Sequence, residues 1–317
     1  MQRLPLAILC AAPLLAQIRG GALVEKPRPL IITWGDRLQA WPLNGGPHVT
    51  LLSGTNFGPG GCATDVDGDG RDDLLIQGRP GTGPFLWLRA PDWKASVIEE
   101  ETEFKDCLPF SMEGRRGVLI PHVNAQLRFY LFPSFQYKEL YSIYTNSRQG
   151  GLLAHDVDGD GLDDLFVGNY WMRNPGRLGV AWRLFAINVW HDTPSAALAA
   201  LGLWRNGALV WAESEAERAR IAVFSPPADR KQLWEEHRLA PLDRPRAVLV
   251  HPAGVFIGHA SGVVLETPEA GGWRRTDVAT GFEALKLIRW KDGVWAVTPQ
   301  GVRRLPTVRT RPSSRRR

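Results

Sequence analysis

The 317-residue chain is predicted to be all-β, a single β-propeller of seven four-stranded blades, with six blades as the alternative. Three observations lead there. The chain holds 33 Gly and 24 Pro, which cost roughly 1 and 3 kcal/mol each in a helix interior, so turns must dominate. Two segments, Ala63-Thr-Asp-Val-Asp-Gly-Asp-Gly-Arg-Asp-Asp-Leu-Leu-Ile-Gln-Gly78 and Ala154-His-Asp-Val-Asp-Gly-Asp-Gly-Leu-Asp-Asp-Leu-Phe-Val-Gly-Asn169, repeat each other 91 positions apart. Half of that offset, about 45 residues, is the length of one propeller blade. Short apolar runs with tight turns fill the rest, as in Trp204-Arg-Asn-Gly-Ala-Leu-Val-Trp211, His251-Pro-Ala-Gly-Val-Phe-Ile257 and Ile288-Arg-Trp-Lys-Asp-Gly-Val-Trp-Ala-Val297. Asn-Gly and Asp-Gly between apolar runs are strong hairpin signals.

In chain order, residues 1–16 read as a signal peptide. Arg3 supplies the charge, Leu4 to Leu15 an apolar run too short to span a bilayer, and Ala16 a small residue before Gln17. The propeller is expected over 17–308, with blades near 28–57, 58–102, 103–146, 147–194, 195–240, 241–280 and 281–308. Gly21-Ala-Leu-Val24 is then left over, and it is expected to be an outer strand that closes the ring against the last blade. Closure removes the exposed strand edges that a linear array would leave. At the half-period, Glu113-Gly-Arg-Arg-Gly-Val-Leu-Ile120 sits where a degenerate copy of the repeated unit would fall. Glu99-Glu-Glu-Thr-Glu103 is expected to be a charged surface loop at a blade junction.

The formal charge of +5 is not spread evenly. Arg303 to Arg317 carries seven Arg and no acid, leaving −2 for the other 302 residues. That excludes a basic, nucleic-acid-binding body and reduces the positive charge to a tail, 309–317, expected to be disordered. No later run approaches 18 apolar residues, so no transmembrane segment is expected. Cys62 and Cys107 remain after the signal; they either pair in an oxidising compartment or stand as two buried free thiols.

The repeated segment carries the chemistry. Carboxylates stand at positions 1, 3, 5 and 9 of a nine-residue loop: Asp65, Asp67, Asp69 and Asp73 in one copy, Asp156, Asp158, Asp160 and Asp164 in the other. Glycines at positions 4 and 6 let the chain curl so that alternate side chains converge, and position 7 (Arg71, Leu162) offers a backbone carbonyl. Flexible, hard oxygen donors in this number suit Ca²⁺ better than Mg²⁺, and without a cation such carboxylates repel one another. Two calcium sites are therefore expected. An EF-hand does not fit, because its twelfth position would be Ile76 or Val167 rather than Glu, and apolar strands follow instead of helices.

Phe57-Gly-Pro-Gly, followed by the Asp-x-Asp-x-Asp-Gly-x-x-Asp loop and Leu-Leu-Ile, resembles the FG-GAP/VCBS repeat of exported bacterial proteins and integrin α-subunits. The resemblance covers about a third of the chain. It implies a propeller with calcium held between the first two strands of a blade, on the face away from the usual ligand face, and hence structural ions. It says little of activity, since the repeat serves adhesion, glycan binding and accessory roles.

No His-Glu-x-x-His array, Walker loop or Gly-x-Ser-x-Gly elbow occurs. Of the 13 Trp, Trp204, Trp211, Trp290 and Trp295 lie in strand-like runs and are expected to wedge between blades. Tyr170 and Trp171 lie in a polar, turn-rich segment and are candidate ligand contacts. The chain is thus expected to be a secreted or periplasmic, calcium-stabilised, monomeric binding module that is not an enzyme. Its ligand would be an extracellular polysaccharide or protein. The alternative is a propeller lyase or hydrolase acting on polysaccharides, for which a cluster of His, Arg, Tyr and acids at the channel mouth would argue.

Overall fold

Strand follows strand from Ile18 to Arg304 in the computed structural model, with one short 3-10 turn among the described residues. The structure describes residues 17–122, 126–142, 151–188, 199–214 and 216–308. The expected signal peptide (1–16) and tail (309–317) lie outside them. The strands form seven antiparallel sheets in simple sequential order, over 18–53, 61–102, 108–142, 152–186, 199–238, 247–280 and 286–304; the first six have four strands and the last three. First strands of most successive sheets approach one another, including those of the last and first sheets, so they line a central axis. This is the seven-bladed propeller.

The ring is held together between blades. Seven clusters of buried apolar side chains form, and each draws on two neighbouring sheets. Between blades 1 and 2, for example, Ile32, Trp34 and Leu38 meet Phe57, Leu74, Ile76 and Leu88. Trp211 and Phe224 of blade 5 pack on Phe166 of blade 4. The alternation that buries both faces of a sheet makes the second strands almost wholly apolar, as in Asp73–Gln77 and Leu209–Glu213.

Closure differs from expectation. The segment Ile18–Val24 is the innermost strand of blade 1, paired to Leu30–Gly35, and not an outer strand of the last blade. The last sheet ends at three described strands. Its join to blade 1 is made by packing, with Ile18 and Ile31 against Ile288, Trp295 and Val297, and by the Ile18 amide, which donates to the Pro299 carbonyl at 3.0 Å. The two glycines in that strand have a steric reason: a Cβ on Gly20 would lie 2.4 Å from the Trp34 indole nitrogen, which itself donates to the Gly58 carbonyl, and one on Gly21 would lie 3.1 Å from the Val297 side chain. Glu99–Glu103 also differs. Most of it belongs to the outer strand Lys94–Thr102 of blade 2 and is not a loop. The degenerate unit does occupy the equivalent place in blade 3, where Glu113 and Gly114, both at positive φ, make a two-residue turn instead of an acidic loop.

Candidate metal centres and channel mouth

Each acidic loop joins the first and second strands of its blade, Gly61–Thr64 to Asp73–Gln77 in blade 2 and Leu152–His155 to Asp164–Val167 in blade 4. The glycines at positions 4 and 6 take left-handed φ in both copies (80° and 82°, then 80° and 86°), a conformation that only Gly adopts freely. Asp65, Asp67 and Asp69 each place a carboxylate oxygen within 4.8 Å of the others, and so do Asp156, Asp158 and Asp160. Loop amides hold these carboxylates: Asp65 accepts from Gly68 (2.7 Å) and Gly70 (3.1 Å), and Asp156 from Gly159 (2.8 Å) and Gly161 (3.0 Å). At position 7, the Arg71 and Leu162 amides donate to Asp69 and Asp160. Three converging hard oxygens in each loop are a donor set that fits Ca²⁺.

The ninth-position aspartates lie deeper. Asp73 is fully buried, and it accepts from the Ala90 amide (2.8 Å), the Trp87 indole (2.9 Å) and the Val66 amide (3.4 Å). Asp164, equally buried, accepts from the Asn174 amide (2.7 Å) and the Val157 amide (3.1 Å). Burial raises both carboxyls, Asp164 to about 6, where the charges of Asp158 and Asp160 add to the effect and the two amides oppose it. These two residues therefore tie the loop to the third strand of their own blade, whatever else they coordinate.

Two residues of the site were missed from sequence. Arg89 reaches Asp67 at 2.6 Å, and Arg173 reaches Asp158 at 2.6 Å and Asp160 at 3.1 Å. They are equivalent: each follows the residue paired with the one after the ninth-position aspartate (Leu74 with Leu88, Leu165 with Met172). Each acidic loop thus carries its own guanidinium counter-charge from the third strand.

The aromatic candidates separate. Trp171 is 1% exposed, stacked on Phe185 at 4.6 Å, and donates its indole N–H to the Arg230 carbonyl at 2.9 Å. It is a core residue, which corrects its expected role in ligand contact. Tyr170 is only partly buried. Cys62 and Cys107 are bonded, with Cα atoms 5.4 Å apart, and they link the inner strand of blade 2 to the lead-in of blade 3.

At the other end of the inner strands the central channel opens into a cavity of about 220 Å³. Its lining includes Arg19, Lys105, Asp106, Arg246 and Lys286. Arg19 is paired with Asp36 and Arg246 with Glu283, both at 2.7 Å. The acidic loops follow the ends of inner strands and this mouth precedes their starts, so the two occupy opposite faces. A cluster of Arg, Tyr and Glu also forms, but away from the mouth. Arg128 meets Glu99 at 2.7 Å and lies 4.6 Å over the Tyr137 ring, and the Tyr130 hydroxyl donates to Glu99, between the outer parts of blades 2 and 3. Tyr130 is fully buried, and burial raises its phenol well above the usual range.

No family model matches the chain, and no curated protein matches it by sequence. Its fold is that of several solved structures. Virginiamycin B lyase from Staphylococcus aureus aligns with a TM-score of 0.65 at 10% identity, over 92% of this chain and 96% of that one. Sqt1 from Saccharomyces cerevisiae gives 0.62 at 10%, over 93% and 96%. YCF48 bound to D1 peptide gives 0.59 at 12%, over 94% and 95%. At such identities the likeness is one of fold alone. Among the described residues no helix is long and apolar enough to cross a membrane.

Proposed function

We propose that the protein is a secreted or periplasmic binding module of the FG-GAP/VCBS type, stabilised by two calcium ions, whose extracellular ligand, a protein or polysaccharide, is engaged through anionic groups at the channel mouth. The observation that carries this reading is the lining of the mouth on the face opposite the acidic loops, where Arg19, Lys105, Arg246 and Lys286 gather beside Asp106, and where Asp36 and Glu283, the partners of the two arginines, still leave an excess of positive charge. A narrow, low-dielectric opening concentrates such a field on an incoming anion. The arginines there are held by carboxylates, an arrangement that fixes guanidinium N–H donors in place and suits holding an anion better than moving a proton. YCF48, a propeller of the same fold, is known with a bound D1 peptide, which is consistent with binding of a protein segment.

Asp65, Asp67, Asp69 and the Arg71 carbonyl, with Asp156, Asp158, Asp160 and the Leu162 carbonyl, would hold the ions, joined by Asp73 and Asp164 where their remaining lone pairs reach. Calcium supplies electrostatic cross-linking of each loop and no reaction chemistry. At a free concentration about a hundredfold above the dissociation constant, each site adds ~2.7 kcal/mol of stability. Chelation should then lower the thermal midpoint of the protein from residue 17 onward, and an unchanged midpoint removes the calcium assignment. The disulfide supports an oxidising compartment.

The ligand reading is tested by retention on an immobilised polyuronate and on an acidic peptide, in calcium, with polymer length recorded. Lys286→Glu and Arg246→Glu should each abolish retention of whichever probe binds. Retention that survives both substitutions, or no retention of either probe, refutes the mouth as the site. Shortening of the polyuronate would instead favour the enzymatic alternative and direct attention to the Glu99, Arg128 and Tyr130 network.

A further inference from the structure

The face that carries the acidic loops has a trough of its own, and its chemistry differs from that of the mouth. The turn after the inner strand of blade 5, Trp204-Arg205-Asn206-Gly207, stands between two cavities. One, of about 600 Å³, is lined by Trp204, Arg205, Arg230, Glu235, His237 and Trp273. The other, of about 320 Å³, runs up to the second acidic loop and is lined in part by His155, Asp156, Asp158 and Trp234. Asn206, Pro226 and Arg230 line both, so the two are continuous. Each has the size of a small-ligand site.

We propose that this trough is a second binding site, for an uncharged polysaccharide chain. Three features select that ligand. First, the signs balance: Arg205 and Arg230 stand beside Glu235, Asp156 and Asp158, and Asp158 is itself paired with Arg173, so neither a polyanion nor a polycation gains from the field. Second, aromatic side chains line the wall. Trp204 and Trp273 meet edge to face at 5.5 Å, and Arg205 lies 5.0 Å over the Trp204 ring. Both indoles are only partly buried, so the ring surface they leave open suits the apolar faces of sugar rings, and their N–H groups lack acceptors among the described residues. Third, polar groups of both kinds remain unused. Glu235 and His237 are exposed and have no partner among the described residues. Arg230 spends one N–H on the Val157 carbonyl (3.3 Å) and another on the Pro227 carbonyl, which fixes its position and leaves donors for hydroxyls. Paired acceptors and donors beside aromatic walls match a ligand rich in hydroxyls and free of charge.

The trough shares no residue with the mouth, so the two readings fail separately. The test is migration through native gels cast with soluble neutral polysaccharides (dextran, a mixed-linkage β-glucan, a galactomannan and a xylan), with polygalacturonate as the anionic comparison. At least one neutral polymer should retard the protein. Glu235→Ala and His237→Ala, both at exposed positions that leave the core intact, should each weaken that retardation about tenfold in dissociation constant, the loss of a hydrogen bond to a charged or strongly polar group. Lys286→Ala, at the mouth, should leave it unchanged. Absence of retardation by all four neutral polymers overturns the proposal. So does retardation that ignores Glu235 and His237 or that disappears with Lys286→Ala.

Discussion

Replacing Asp73 by Ala separates two roles that the acidic loop combines. Asp73 is fully buried and accepts two well-formed hydrogen bonds, from the Ala90 amide at 2.8 Å and the Trp87 indole at 2.9 Å, plus a long one from Val66. Hydrogen bonds to a charged acceptor contribute about 1.5–3 kcal/mol each, and stranding their donors in the interior adds the cost of desolvation. Against this, burial has already raised the Asp73 carboxyl, so its removal also relieves part of the cost of a buried charge. The net loss is set at ~3–5 kcal/mol, and it should be present without any metal. For a domain of this size that is a fall of roughly 10 °C in midpoint. Asp69→Ala is the control: Asp69 is exposed and holds only the Arg71 amide, so in chelator it should cost under about 1 kcal/mol. Thermal unfolding followed by tryptophan fluorescence in chelator reads both. If Asp73→Ala melts within about 2 °C of the parent in chelator, Asp73 is not a structural acceptor and the account of the loop is wrong.

The disulfide closes a 45-residue separation, for which chain entropy gives about 4 kcal/mol; Cys62→Ser with Cys107→Ser should lower the denaturation midpoint correspondingly, and an unmoved midpoint would contradict it. Trp171→Ala should cost ~3–5 kcal/mol as a core truncation yet leave ligand retention unchanged below its melting temperature; lost retention in a folded variant would restore its role as a contact. His122 is buried, and burial, with Arg128 nearby, lowers its imidazole below the ordinary 6.5. The unfolded chain therefore takes up this proton first, and stability present above pH 6.5 should fall as the pH drops through that value toward the folded-state pKa. His122→Gln should flatten that part of the stability curve measured by denaturant titration, and an equal decline in both proteins would refute the assignment.

The blade count was legible because turn chemistry and repeat length are both local. Blades 2 to 7 needed only hairpin signals and a period of about 45 residues. The first blade was displaced because Ile18–Val24 follows an apolar leader and contains Gly20 and Gly21, so it lacks the side chains that mark a strand. Gly20 is there for Trp34 and Gly21 for Val297 of the last blade, long-range contacts that no window reveals. The same limit hid Arg89 and Arg173. Past the acidic loop the two blades fall out of the 91-residue offset, because the hairpin from Leu74 to Leu88 spans seven more residues than the one from Leu165 to Met172. Only pairing restores the equivalence, and with it the order Trp-Arg-Ala in Trp87-Arg89-Ala90 against Trp171-Arg173-Asn174. That pairing also explains Trp171: Gly168 and Asn169 make a short turn, the next four residues form a strand, and Trp171 crosses from Phe166 into the wall between blades 4 and 5. A segment that reads as polar and turn-rich therefore holds a tryptophan that is only 1% exposed. The ligand surfaces are harder still to read, since the trough takes its residues from the acidic loop of blade 4, the first turn and outer strand of blade 5 and the outer strand of blade 6. Residues almost seventy positions apart, Trp204 and Trp273, become neighbours only because successive blades are stacked around one axis.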